Sequence, residues 1–407
     1  MSTLYLLFFL LVISYVGGFL VGGRRVRGRG LPAGSEWVLV GFVVGPSVLG
    51  VLSAQDIEAL SPLATVVTGW VGFLAGITFG TRGGRPISVA RLALGLASGL
   101  LCGVGVALGV WLTLQNVPVA AAAFPSSRER WLVSLGAGAV LAGTARQALA
   151  WAVGRLGARG PVTDLLGDLA EAQQAVPILA TGIIVGGDTS RGLPALPGAA
   201  LGIGAVLGLL AALLLGREER ALWLWVVLFG ISVFASGVAE QLDIAPITTL
   251  FAVGLCAALA SPLRARIRQL LSEVEGAVLL PLLFVAGALV SLGNGSALWV
   301  LGAAVVARWL VNGLLGFLVQ AMAPGARGAG PAVGLALSSA GPLHVTVGLA
   351  FQQRYPGPVG SAVLATAAAA AVASEFVGPP ALRRALRRAG EVPEAPPNGR
   401  EGAAAAP

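Results

Sequence analysis

Between Pro161 and Gly186 the chain reads PVTDLLGDLAEAQQAVPILATGIIVG, an apolar run long enough to cross a bilayer. It nevertheless carries Asp164, Asp168, Glu171, Gln173 and Gln174. Steps of four, three and three through 164, 168, 171 and 174 put four of these five residues on one helical face. A carboxylate inside a bilayer is costly and persists where it has a partner or a task. Such a polar stripe is the chemistry of an ion or proton path. At a rise of about 1.5 Å per residue, Glu171 and Gln174 lie roughly 15–20 Å deep, near mid-membrane. Asp164 and Asp168 fall nearer the cytoplasmic mouth.

A second charge, Arg308, sits deep in ALWVLGAAVVARWLVNGLLGFL. It is too deep to reach water easily and requires an anion, a cage of carbonyls or a wet cavity. Glu171 is the nearest carboxylate in depth. Two readings stand: a charge at a transport site, and an Arg–carboxylate pair that fixes helix packing.

Two apolar runs look broken. LVSLGAGAVLAGTARQALAW carries Gly143, Thr144 and Arg146 at its centre, and AVGLALSSAGPLHVTVGLAF carries Ser338, Ser339, Gly341, Pro342 and His344. Pro342 removes a backbone hydrogen bond, and unwound backbone at membrane depth is tolerated where it is buried in protein or lines a cavity. Paired half-helices aim their dipole ends at an ion. With 59 glycines in the chain, close helix packing accounts for the Gly clusters equally well. His344 is the single histidine; it can titrate near neutral pH, but beside a break it is more often a hydrogen-bonded packing residue.

The elements that must position these groups are membrane spans. The chain is 56% hydrophobic and 11% charged, with a mean hydropathy of +0.88, a balance found in polytopic membrane proteins and not in soluble domains. All 26 basic residues are arginine, against 18 acids. A nucleic-acid partner is rejected, because the arginines sit in short loops between apolar runs. Cys102 and Cys256 read as core residues, with no paired-cysteine motif. Residues 4–23 lack a basic start and a small-residue cleavage site, and so read as a first span and not a signal peptide.

A ruler of about 20 apolar residues gives about thirteen spans. They run over 4–23, 35–52, 62–80, 88–114, 131–153, 161–186, 194–216, 221–239, 245–262, 274–292, 296–322, 331–352 and 357–379. With the N-terminus outside, twenty arginines fall on the inner side and four on the outer. Arg146 and Arg308 lie within spans, which accounts for all 26. That asymmetry gives a multi-pass inner-membrane protein, N-terminus out and C-terminus cytoplasmic. Spans 1–6 and 8–13 read as inverted halves joined by span 7, a common build of secondary transporters, with spans 5 and 12 in equivalent places. Residues 1–379 form the transmembrane domain, and 380–407 a disordered cytoplasmic tail. One histidine excludes HExxH, no GxSxG occurs, and the absence of lysine excludes a Walker loop, so neither an enzyme nor a cofactor or metal is expected.

The segment LPAGSEWVLVGFVVGPSVLG resembles the LP…GEILAGxLLGPSxLG signature of the monovalent cation:proton antiporter superfamily, in its second branch of sodium/proton antiporters and potassium-efflux proteins. The other landmarks fall in order over about residues 4–379. The resemblance implies an all-α fold with two crossed discontinuous helices, an elevator motion, a homodimer in the lipid membrane, and exchange of Na⁺ or K⁺ for H⁺. The chain departs from the pattern where the family keeps an acidic pair in span 6, for Gln173-Gln174 stand there, and no charged residue follows Gly341. On this reading Glu171, one turn before Gln174, replaces the acid. Gln173 and Gln174 serve as neutral oxygen ligands, Arg308 competes with the cation for Glu171, and Asp164 and Asp168 form a cation-concentrating funnel. Thr144, Arg146, Ser338, Ser339, Gly341, Pro342 and His344 mark the crossing. An anion carrier using Arg308, or an inactive antiporter-like scaffold or sensor, remain the alternatives.

Overall fold

A computed structural model describes residues 34–188, 198–216, 220–291 and 296–393. The expected first span and the run from 394 lie outside the described residues. The chain forms α1 (Ser35–Val44), α2 (Ala54–Glu58), α3 (Ser61–Thr78), a hairpin of β1 (Thr81–Arg82) and β2 (Arg85–Pro86), α4 (Val89–Asn116), α5 (Pro118–Ala122), α6 (Ser127–Leu141), α7 (Arg146–Leu156), α8 (Pro161–Gln173) and α9 (Ala175–Gly187). It continues through α10 (Ala199–Leu215), α11 (Ala221–Gln241), α12 (Pro246–Ala260), α13 (Arg264–Ala288), α14 (Ser296–Met322), a 3₁₀ turn (Pro324–Ala329), α15 (Ala332–Ala336), α16 (Pro342–Arg354) and α17 (Pro358–Arg388).

Among the described residues, each apolar run from 35 onward therefore holds a helix. Seven helices among the described residues are long and apolar enough to cross a membrane, and an eighth is α13, bent by 50° between Leu271 and Glu275. α1, α10 and α12 are shorter apolar helices, and α15 with α16 makes a broken one. α8 and α9 form one span, because Gln174 between them keeps helical backbone at φ −61° and ψ −26°. In lipid, helices gain little from apolar burial against each other, so close backbone approach holds them. α3 lies against α12 in this way: a Cβ on Gly72 or Gly76 would collide with the Ile247 or Phe251 carbonyl, and one on Gly254 with the Phe73 carbonyl.

Two expectations need correction. Arg264, Arg266 and Arg268, read as loop residues, lie on the first limb of α13, where buried Ile267, Leu270 and Leu271 give it an apolar side. The tail does not begin at 380: α17 runs through Pro379-Pro380 to Arg388. Leu382, Ala385 and Leu386 are buried at helical spacing while the intervening arginines face outward, so the apolar seam of the span carries the helix on.

The β hairpin turns through Gly83 and Gly84, both at positive φ (56° and 86°), the geometry that two-residue hairpins favour. It delivers Arg82 and Arg85 to the entrance end of α8.

Candidate functional site

The centre of the molecule is the crossing of α6–α7 with α15–α16. The first pair is interrupted over 142–145 and the second over 337–341. The two breaks touch through their main chains, the Ala145 amide donating to the Ser339 carbonyl at 2.8 Å. Helix ends leave carbonyls and amides without intrahelical partners, and these must be met locally when buried.

Arg308, on α14, meets them. It is 2% exposed, and its Nη2 donates to the Gly143 carbonyl at 2.7 Å and to the Ser339 carbonyl at 3.2 Å. His344 Nε2 also donates to the Gly143 carbonyl, at 2.9 Å, while its Nδ1 accepts the Gly341 amide at 3.1 Å. Those two partners fix the neutral Nε2–H tautomer. Pro342 opens α16 at its first position, where a missing amide hydrogen costs nothing. Asn312, one turn beyond Arg308, donates to the Ser338 hydroxyl at 3.1 Å. The Thr144 hydroxyl lies within hydrogen-bond reach of both the Gln173 side chain and the Leu337 carbonyl, and Gln173 also reaches the Ser98 hydroxyl at 2.8 Å.

The expected Arg308–Glu171 pair does not form. Arg308 uses carbonyls instead, the cage that its depth allowed as an alternative. The cation beside Glu171 is Arg146, at 3.7 Å, and Arg146 pairs more closely with Glu275 of α13, at 2.9 Å. Gln147 donates to the same Glu275 oxygen at 3.0 Å, and Gln174 approaches Glu171 at 3.4 Å. Two carboxylates and one guanidinium therefore meet where α7, α8 and α13 converge, leaving one formal negative charge on the group. Sequence reasoning missed Glu275. The signal was present in SEVEG, an acid immediately before the apolar part of span 10.

Glu171, Arg146 and Glu275 line a cavity of about 470 Å³ together with Thr78, Gln147 and Arg268. A small void of about 20 Å³, bordered by Arg146, Gln174, Glu275, Pro342 and Leu343, continues from it toward the crossing. Of the two glutamines only Gln174 belongs to this side. Gln173 is 3% exposed, bonds to Thr144 and Ser98, and does not line the cavity with Glu171.

Asp164 and Asp168, expected to form a cation funnel, are both paired with arginines. Asp168 is buried among Arg91 at 2.6 Å, Arg82 at 3.6 Å and Arg85 at 3.8 Å, and Asp164 pairs with Arg82 at 3.0 Å. Three guanidinium groups against two carboxylates make this entrance positive. Their work is to pin the hairpin and the start of α4 to α8. The far end of the described chain also reaches α8: the Glu391 carboxylate accepts the Val162 and Thr163 amides at 2.6 and 2.8 Å and the Thr163 hydroxyl at 2.7 Å. It thereby caps the helix where the macrodipole is positive.

No known protein family matches the sequence, and no curated protein matches it as a relative. Among solved structures, the chain is similar to the sodium proton antiporter MjNhaP1 from Methanocaldococcus jannaschii at pH 8, with a TM-score of 0.65 and 16% identity over 93% of this chain and 99% of that one. An electron-microscopy structure of the same antiporter gives a TM-score of 0.62 and 15% identity over 97% and 100%. This multi-pass membrane chain, with its crossed and broken helices, has the fold of that antiporter.

Proposed function

We propose that the chain is a secondary active antiporter that exchanges a monovalent cation, Na⁺ or K⁺, for H⁺ by alternating access. The observation that carries the proposal is the position of Glu171. It lines a cavity that shares Arg146 and Glu275 with a small void beside Pro342 of the crossing, in a fold shared with a sodium proton antiporter. Glu171 is the carboxylate that cation and proton share, and Glu275 is the second oxygen donor. Arg146 is the internal competitor: when a cation enters, the guanidinium yields Glu171 and keeps Glu275, its nearer partner. Gln174 supplies a neutral oxygen.

Arg308 has a different part in this scheme. It holds the crossing together and takes no share of the carboxylate. The arginine asymmetry supports an N-terminus outside and a cytoplasmic C-terminus. Inner-membrane placement and a homodimer complete the proposal.

The test is flux in proteoliposomes. Wild type is expected to move protons in response to a Na⁺ or K⁺ gradient, and Glu171→Gln to abolish that movement. Undiminished flux in Glu171→Gln would remove Glu171 from the mechanism. One observation favours a second reading, a non-transporting scaffold or sensor: Arg146 already neutralises much of the Glu171–Glu275 pair. Wild type without cation-dependent proton movement at any pH across the neutral range would decide for that reading.

A further inference from the structure

The described part of the chain closes on a strongly basic surface that the transport scheme does not use. Arg383, Arg384, Arg387 and Arg388 of α17, with Arg155 of α7, line a cavity of about 610 Å³ together with Trp151 and Glu375. The four arginines of α17 are exposed, and among the described residues none of them makes a hydrogen bond or ion pair. They form two like-charge pairs four residues apart, Arg383 with Arg387 and Arg384 with Arg388, an arrangement that weakens a helix unless an anion lies between the charges. Arg155 already stacks over Trp151, its guanidinium carbon 5.2 Å from the ring centroid.

The position of the cavity narrows the anion. From Pro358 to Pro379 α17 is about as long as the hydrocarbon core is thick, at about 1.5 Å per residue, so the arginines emerge at headgroup level. Just below them Phe376 is 77% exposed, an apolar group facing outward from a membrane span. Trp151 is of the residue type that belongs at the membrane–water interface. Guanidinium groups bind phosphate oxygens in paired geometry, and basic pockets between membrane helices suit anionic headgroups.

We infer that the groove between the ends of α7 and α17 binds the phosphate of an anionic phospholipid headgroup, with Arg383, Arg387 and Arg155 as its ligands and Trp151 beside it. The inference rests on the membrane fold and not on the antiport proposal.

Native mass spectrometry of the full chain in neutral detergent tests it, by titration with phosphatidylglycerol, phosphatidylcholine and inorganic phosphate. Wild type is expected to bind phosphatidylglycerol roughly tenfold or more tightly than phosphatidylcholine, and Arg383→Gln/Arg387→Gln to lose that preference. Arg266→Gln, an exposed arginine on α13, keeps it. Equal binding of the two lipids by wild type would overturn the site. So would a preference retained in the double variant with an unchanged lipid-free melting temperature. Displacement of phosphatidylglycerol by inorganic phosphate at equal concentration would overturn the lipid as its occupant. If the double variant does not fold, Arg383→Gln and Arg387→Gln taken singly carry the same comparison, each expected to lower the preference and each counting against the site if it does not.

Discussion

The Arg308 guanidinium lies 2.7 Å from the Gly143 carbonyl oxygen and, through the same nitrogen, 3.2 Å from that of Ser339. One side chain on an unbroken helix therefore ties together both interruptions, at the negative ends of α6 and α15. Arg308→Leu removes the tie between the two breaks and leaves the Gly143 carbonyl to His344 and the Ser339 carbonyl to the Ala145 amide. It is expected to lower stability by about 1–2 kcal/mol, read as a fall in the melting temperature of the detergent-solubilised protein. Arg308→Lys keeps a cation and is expected to recover part of the loss. A melting temperature unchanged in the leucine variant would mean that the crossing holds without its cation.

Glu275 offers a test of competition at the carboxylates. With Glu275→Gln, Arg146 loses its nearer partner and turns to Glu171, at present 3.7 Å away. The expected result in proteoliposomes is flux that persists but needs roughly tenfold more cation for half its maximum, from the tightened Arg146–Glu171 pair. Complete loss of flux would make Glu275 indispensable instead; an unchanged half-maximum would free Glu171 from Arg146.

Asp168→Asn separates a structural carboxylate from a funnel. The variant leaves Arg82, Arg85 and Arg91 facing one another without the buried anion that gathers them. A loss of about 2–3 kcal/mol is expected, with the cation dependence of flux unaltered in the protein that remains folded. A shifted cation dependence at unchanged stability would restore the funnel.

Glu391→Ala removes the cap from α8. The Val162 and Thr163 amides then lose their acceptor, at a cost of about 1–2 kcal/mol confined to one helix end. Hydrogen exchange should rise at 159–165 and stay unchanged at the crossing. Uniform exchange across the molecule would place the cap in global stability.

The spans were legible in the sequence because hydropathy and arginine placement report on the solvent directly. The breaks were legible as well, since Gly143, Gly341 and Pro342 are poor helix interior residues. The partners of the charged groups were not. Arg308 chose main-chain carbonyls, which every residue supplies and no residue type marks. Asp168 met arginines brought from the far side of a hairpin, a contact set by the turn at Gly83-Gly84 and not by the periodicity of α8. Glu275 went unseen because its helix bends beside it: a span counted from the apolar residues alone places that acid at a boundary, outside the membrane interior.

The Thr144 hydroxyl has one proton and two neighbours, Gln173 and the Leu337 carbonyl, within reach. Counting donors and acceptors settles what residue 173 must offer. Its NH₂ donates to the Ser98 hydroxyl, whose own proton goes to the Gly95 carbonyl, while its amide oxygen faces the Thr144 hydroxyl. An ionised carboxylate at 173 would have no hydrogen to give Ser98 and would bury a charge. The amide thus joins two neighbours of opposite need, one that takes a proton and one that gives it.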